Sequence, residues 1–184
     1  MPPYSKNIPL WNAFSGRAAY CRGGAFPEGI KYLGGPGYPD IKDVRNFWDN
    51  SLNITDNEIT FGFRKNLIPT ETFPTASLTR ITYGQATTRR VGKWVAVAIL
   101  FAPLALVGIF HKSRQHRVLL EWTDDLDRER AMLMQIHKDD FVSVLNDIAF
   151  RTQQPIYADA DDKNWLFERG VNAELDLDSE AEEH

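Results

Sequence analysis

The side chains of this 184-residue chain that could do chemistry are few and scattered. Three histidines, His111, His116 and His137, could serve as bases or metal ligands. His111 and His116 sit in a basic stretch, and no His-Glu-x-x-His or comparable metal spacing exists. Asp124, Asp125 and Asp127 invite a calcium reading, but no Gly-x5-Glu completes the loop, so a solvated hairpin turn is expected. Gly34-Gly35-Pro36-Gly37 lacks the Lys and the following helix of a phosphate loop. Cys21 is the single cysteine, which excludes an internal disulfide, a CxxC pair and a Cys-based zinc site, and suits a reducing compartment. These residues predict a protein that is not an enzyme and needs no cofactor or metal.

Charge and hydropathy carry more. The net charge of -4 hides an asymmetry: from Ala158 to His184 ten acids face only Lys163 and Arg169, so the rest of the chain is net positive. No acid occurs between Glu71 and Glu121. Within that gap, Arg89, Arg90 and Lys93 precede a wholly apolar run, Trp94–Phe110, and Lys112, Arg114 and Arg117 follow it. As one helix the run would span about 25 Å at ~1.5 Å per residue, short of the ~30 Å hydrocarbon core. Pro103 near its middle would kink it. Three readings compete: a single span, a re-entrant hairpin bent near Pro103, and a buried core helix. Basic flanks at both ends favour the hairpin under the positive-inside rule, and such flanks attract anionic headgroups. Nucleic acid is the weaker partner reading, because the aromatics of the basic region lie in the apolar run rather than in an RNA-binding strand.

The elements around this run are legible in part. Residues 1–28, rich in Pro, Gly and aromatics, read as an extended arm. They contain no signal-peptide h-region and no Met-Gly start for myristoylation; no prenylation Cys stands near the far end. Folding Ser51–Phe63 at Asp56-Asn57, two residues that tolerate positive φ, puts Ile54 opposite Ile59 and Leu52 opposite Phe61. Pro74 is expected to start a strand through Leu78, Ile81 and Tyr83, ended by Gly84. Val118, Leu120 and Trp122 alternate as a strand, Thr123–Arg128 is a polar turn, and Met132, Met134 and Ile136 alternate as the return. Asp139 and Asp140 then open a helix whose Phe141, Val144, Leu145 and Ile148 form one buried stripe, with Pro155 as its stop. Beyond Tyr157 a flexible acidic tail is expected, with Trp165-Leu166-Phe167 as an apolar island that either docks elsewhere or folds back.

Hairpins followed by one amphipathic helix resemble the bacterial PH-like and GRAM-like domains. The resemblance rests on the Leu52-x-Ile54-Thr55-x-x-x-Ile59-x-Phe61 hairpin, the Phe73-Pro74-x-x-x-Leu78-x-x-Ile81 strand, and the strand pair and helix from Val118 to Arg151. It implies binding of lipid or protein rather than catalysis.

The expectation is a mainly β fold with a C-terminal α-helix, a PH-like sandwich or barrel spanning 29–157, carrying an inserted apolar helical hairpin at 94–110. Its function is expected to be membrane-associated scaffolding or binding on the cytoplasmic face of a bacterial inner membrane, with an unknown protein partner and with oligomers allowed. Trp94, Ile99, Leu100, Phe101, Pro103, Leu104, Leu106, Ile109 and Phe110 would contact the membrane, and the six basic residues its anionic lipid. The alternative is a soluble protein-interaction module whose apolar run is a core or oligomerisation helix.

Overall fold

The computed structural model describes residues 24–35, 48–63, 70–84, 87 and 115–177. Its elements are β1 (Gly24–Gly34), β2 (Asn50–Ile54), β3 (Glu58–Gly62), β4 (Glu71–Pro74), a 3-10 turn (Thr75–Ser77), β5 (Leu78–Tyr83), β6 (His116–Thr123), β7 (Glu129–Ile136), α1 (Phe141–Thr152), β8 (Ile156–Ala158), α2 (Ala160–Phe167) and β9 (Ala173–Leu175). The strands are hydrogen-bonded in the order β4-β3-β2-β1-β7-β6-β5-β8-β9.

The β2–β3 register is the one the apolar pattern demands: Leu52 faces Phe61, Asn53 faces Thr60 and Ile54 faces Ile59. The turn is closed differently from the expectation. Neither Asp56 nor Asn57 has positive φ; instead the Thr55 hydroxyl accepts from the backbone N–H groups of Asn57 (3.3 Å) and Glu58 (3.0 Å). A threonine hydroxyl can organise a turn in this way and removes the need for left-handed residues.

The stretch expected as one strand from Pro74 is two. Pro74 ends β4 at the sheet's edge, and after the 3-10 turn the chain enters β5, far along the strand order. Three residues can bridge those positions only if the sheet rolls until its ends approach. The stacked rings of Phe73 and Trp122, 4.2 Å apart, mark the closure, and Thr75 Oγ1 donates to the Thr55 carbonyl, tying the 3-10 turn to the β2–β3 turn. A register shift between Leu78 and Arg80 explains why Leu78 and Ile81, three apart in sequence, both reach the core.

Strand β1 lies partly within the stretch read as an arm. It kinks between Phe26 and Ile30, where Gly29 takes φ +87°; its first half pairs with β2 and its second with β7. Helix α1 buries Phe141, Val144, Leu145 and Ile148, the stripe read from the sequence, against the core inside the rolled sheet. Each such side chain stabilises the fold by roughly 2 kcal/mol. Gln153 in the left-handed conformation ends the helix just before Pro155.

Two further expectations need correction. The stretch after Tyr157 is not a free tail as far as Leu177. β8 pairs parallel with β5, β9 with β8, and Leu166, Val171 and Ala173 enter the core. The acids that suggested solvation have structural tasks: Asp159 caps α2 by accepting from the Asp162 N–H at 2.8 Å, and buried Asp176 pairs with Arg80 at 2.5 Å. The membrane-tethered reading is also overturned. Among the described residues no helix is long and apolar enough to cross a membrane, and the mainly β domain buries its apolar side chains within its own core. The run 94–110, with the helical hairpin expected there, lies outside the described residues.

Candidate functional site

Where β5 ends and β6 begins, the side chains form a tight aromatic joint. Tyr83 Oη and His116 Nδ1 share a hydrogen bond of 2.7 Å. The imidazole stacks on Phe141 at 4.0 Å and 3°, and Trp165 of α2 lies 5.5 Å from it. On Trp165 rests the Arg169 guanidinium, 3.8 Å from the ring centroid. The chain exits at Gly84 (φ +71°), whose N–H donates to the Arg117 carbonyl at 2.9 Å. A Cβ at Gly84 would come within 1.9 Å of the Asp162 carboxylate, and the positive φ strains any other residue, so the turn favours glycine. His116 is thus a packed structural residue holding α1 and α2 to the sheet, and the sequence, which offered it as a possible base or ligand, carries no signal for the stack.

The rim beyond this joint is the most exposed apolar part of the C-terminal unit. Phe167, at the end of α2, is 74% exposed and Leu177, just past β9, is 65% exposed. Between them runs β9, the outermost strand, which pairs with β8 on one side alone among the described residues. Glu168 and Glu174 stand exposed beside it. The island Trp165-Leu166-Phe167 therefore divides: Leu166 is in the core, Trp165 in the joint, and Phe167 faces out. Among the described residues the arrangement offers a strand edge with no further strand on it, two apolar anchors, and the carboxylates of Glu174 and of Glu168, the latter 3.6 Å from the Arg169 guanidinium, which together suit an extended cationic segment.

Of the cations expected at anionic lipid, Arg89, Arg90, Lys93, Lys112 and Arg114 lie outside the described residues, as does every residue assigned to membrane contact. Arg117 is described. It sits half-buried in β6, donates to the Gln115 carbonyl oxygen of the side chain at 3.0 and 2.7 Å, and burial lowers its affinity for its proton. At the β6–β7 turn the Asp124 carboxylate is held by Arg128 and Arg130 at 2.7 and 2.9 Å. The hydrogen bond from Arg128 holds that carboxyl well below the usual carboxylate range. Among the described residues no three His, Cys, Asp or Glu side chains gather in a way that could hold a metal ion.

No family model matches the chain, and neither a curated protein nor a solved structure matches it.

Proposed function

We propose that this chain is a non-enzymatic PH-like module that binds a protein partner, taking an extended basic segment along the outer edge of β9, which carries no further strand among the described residues. The observation that carries the reading is that rim: an outermost strand between exposed Phe167 and Leu177, bordered by Glu168 and Glu174. A PH-like placement is supported by the antiparallel run β1–β7 followed directly by α1 packed on it, the order the sequence resemblance implies. Strand addition would supply affinity through main-chain hydrogen bonds, and the acids would select for lysine or arginine.

The test is a titration of the isotopically labelled full-length protein with a peptide of alternating valine and lysine, observed by amide chemical shifts. Shifts centred on Ala173–Leu175, weakened about tenfold by Phe167→Ser, are the expected result. An equally strong response to a valine–glutamate peptide, or shifts confined to other strands, would overturn it.

A further inference from the structure

The edge of β9 has a definite pattern of backbone and side-chain directions. Successive residues of an extended strand turn their N–H and C=O groups to alternate sides. The Asp176 N–H donates to the Ala158 carbonyl of β8 at 2.9 Å. Glu174, two residues earlier and opposite Tyr157, turns its backbone groups to β8 as well. Ala173 and Leu175 therefore aim their N–H and C=O groups away from β8, to the side where no further strand lies among the described residues. Side chains alternate across the sheet in the same way. Ala173 shares the core with Leu166 of α2, and partly buried Leu175 takes the same face, while α2 itself ends in exposed Phe167. Glu174 and Asp176 take the opposite face. Asp176 is paired there with Arg80, whereas Glu174 is exposed and forms no ion pair among the described residues. Glu168, the other acid of the rim, has the Arg169 guanidinium at 3.6 Å.

We infer, on the reading of this edge as a binding site, that β9 takes its partner as an antiparallel strand in one register, with a lysine or arginine opposite Glu174 and apolar residues opposite Ala173 and Leu175. In antiparallel pairing the residues that exchange both hydrogen bonds stand about 5.5 Å apart at Cα, and those between them about 4.5 Å. The outward groups of Ala173 and Leu175 make these two the exchanging positions, so Glu174 falls at the closer one. A partner cation at that position meets the Glu174 carboxylate directly, and a partner acid is repelled. The partner residues on either side of the cation turn to the face of α2, where Leu175 and Phe167 offer apolar surface. A parallel strand sets no such pairs, because its hydrogen bonds slant between residues. A second copy of this chain is disfavoured as the occupant: β9 against β9 in this register would place two Glu174 carboxylates face to face. The segment that fits is thus foreign and reads apolar–cation–apolar.

Two peptides test the register on the isotopically labelled full-length protein: Gly-Ser-Val-Lys-Val-Ser-Gly, and the same peptide with glutamate in place of lysine. The lysine peptide should shift the amides of Ala173–Leu175 and bind about fivefold more tightly than the glutamate peptide. Glu174→Lys, at an exposed side chain, should reverse that preference. Leu175→Pro should weaken the lysine peptide about tenfold with near-ultraviolet circular dichroism and melting midpoint unchanged, because the N–H it removes faces outward. Leu175→Val should bind like the parent, which separates the loss of the N–H from the loss of the side chain. A spin label on the amino end of the peptide should broaden the Leu175–Leu177 amides more than those of Val171–Ala173, as antiparallel pairing requires. The opposite order of broadening, an unaltered preference in Glu174→Lys, or full binding by a folded Leu175→Pro would each overturn the inference while leaving a site at β9. Should Leu175→Pro fail to fold, the charge reversal and the spin label decide alone. Absence of any shift at Ala173–Leu175 in the parent would overturn the reading of β9 as a binding site, and the inference with it.

Discussion

The β2–β3 hairpin and the β8–α2–β9 unit are held in opposite ways. In the hairpin every contact that fixes the register lies within a dozen residues: Leu52 with Phe61, Ile54 with Ile59, and the Thr55 hydroxyl on the turn. The C-terminal unit is held by partners far back in the chain, with β8 on Ile81 and Thr82, Trp165 against Tyr83 and His116, and Asp176 on Arg80. Local pairing leaves a trace in the order of apolar residues. Long-range pairing leaves almost none, because each partner alone looks like an ordinary surface residue.

The comparison can be broken most severely at the hairpin. Ile54 is fully buried, so Ile54→Asp places an uncompensated charge in the core and should cost about 4 kcal/mol or more, enough to abolish cooperative unfolding in a denaturant titration. Retained stability would mean that the register does not bear on the core. In the C-terminal unit, Leu166 is also fully buried, and Leu166→Ala should cost about 3 kcal/mol. Its distinctive sign is local: limited proteolysis should cut first between Ala158 and Val171 and leave the hairpin intact. If the hairpin is cut at the same rate, the two regions form one cooperative unit.

The Arg80–Asp176 pair sharpens the contrast further. Asp176 is 2% exposed, and the Arg80 guanidinium also rests over Tyr157, 4.0 Å from its ring centroid. Asp176→Asn should destabilise by about 2 kcal/mol, because a largely buried guanidinium loses the charge of Asp176, whereas a joint Arg80→Met, Asp176→Leu replacement should cost much less. Equal losses in the single and joint variants, read from denaturation midpoints, would show that packing rather than charge holds β9. The smallest effect is expected at Asp124. Its folded carboxyl titrates below the unfolded value of 3.8, so its contribution is present above that value and disappears as pH falls through the folded one. Asp124→Asn should therefore be slightly less stable than the parent at neutral pH, with the gap closing in strong acid. A gap independent of pH would assign the effect to the turn's geometry.

How much was legible follows the same division. The β2–β3 pairing, the alternation of β6 and β7 and the four-residue stripe of α1 could be read because periodicity and burial coincide. β1 was hidden by Gly24, Pro27 and Gly29, which signal a loop although Gly29 supplies the kink that lets one strand serve two neighbours. The bulge after Leu78 broke the two-residue alternation and merged β4 with β5 in the reading. The C-terminal acids were misjudged because composition counts charges without showing partners: Asp159 is a cap, Asp176 an ion pair, and Asp162 is buried. At the rim, the apolar island was visible, but its division into one core, one joint and one exposed residue depends on the α2 helix. The membrane reading was open to error because the composition of an apolar run does not by itself distinguish a membrane segment from a protein core.

The parallel pairing of β8 with β5 also has a consequence in time. During synthesis β5 gains one neighbour when β6 emerges, but its other edge stays open until Ile156–Ala158 follows, roughly seventy residues after Tyr83. At ~5–20 residues per second that interval is on the order of ten seconds. Throughout it the growing chain displays Ile81 and Thr82 on a strand edge awaiting its partner, so a chaperone that recognises nascent strands has an opportunity there, and the arrival of β8 closes it.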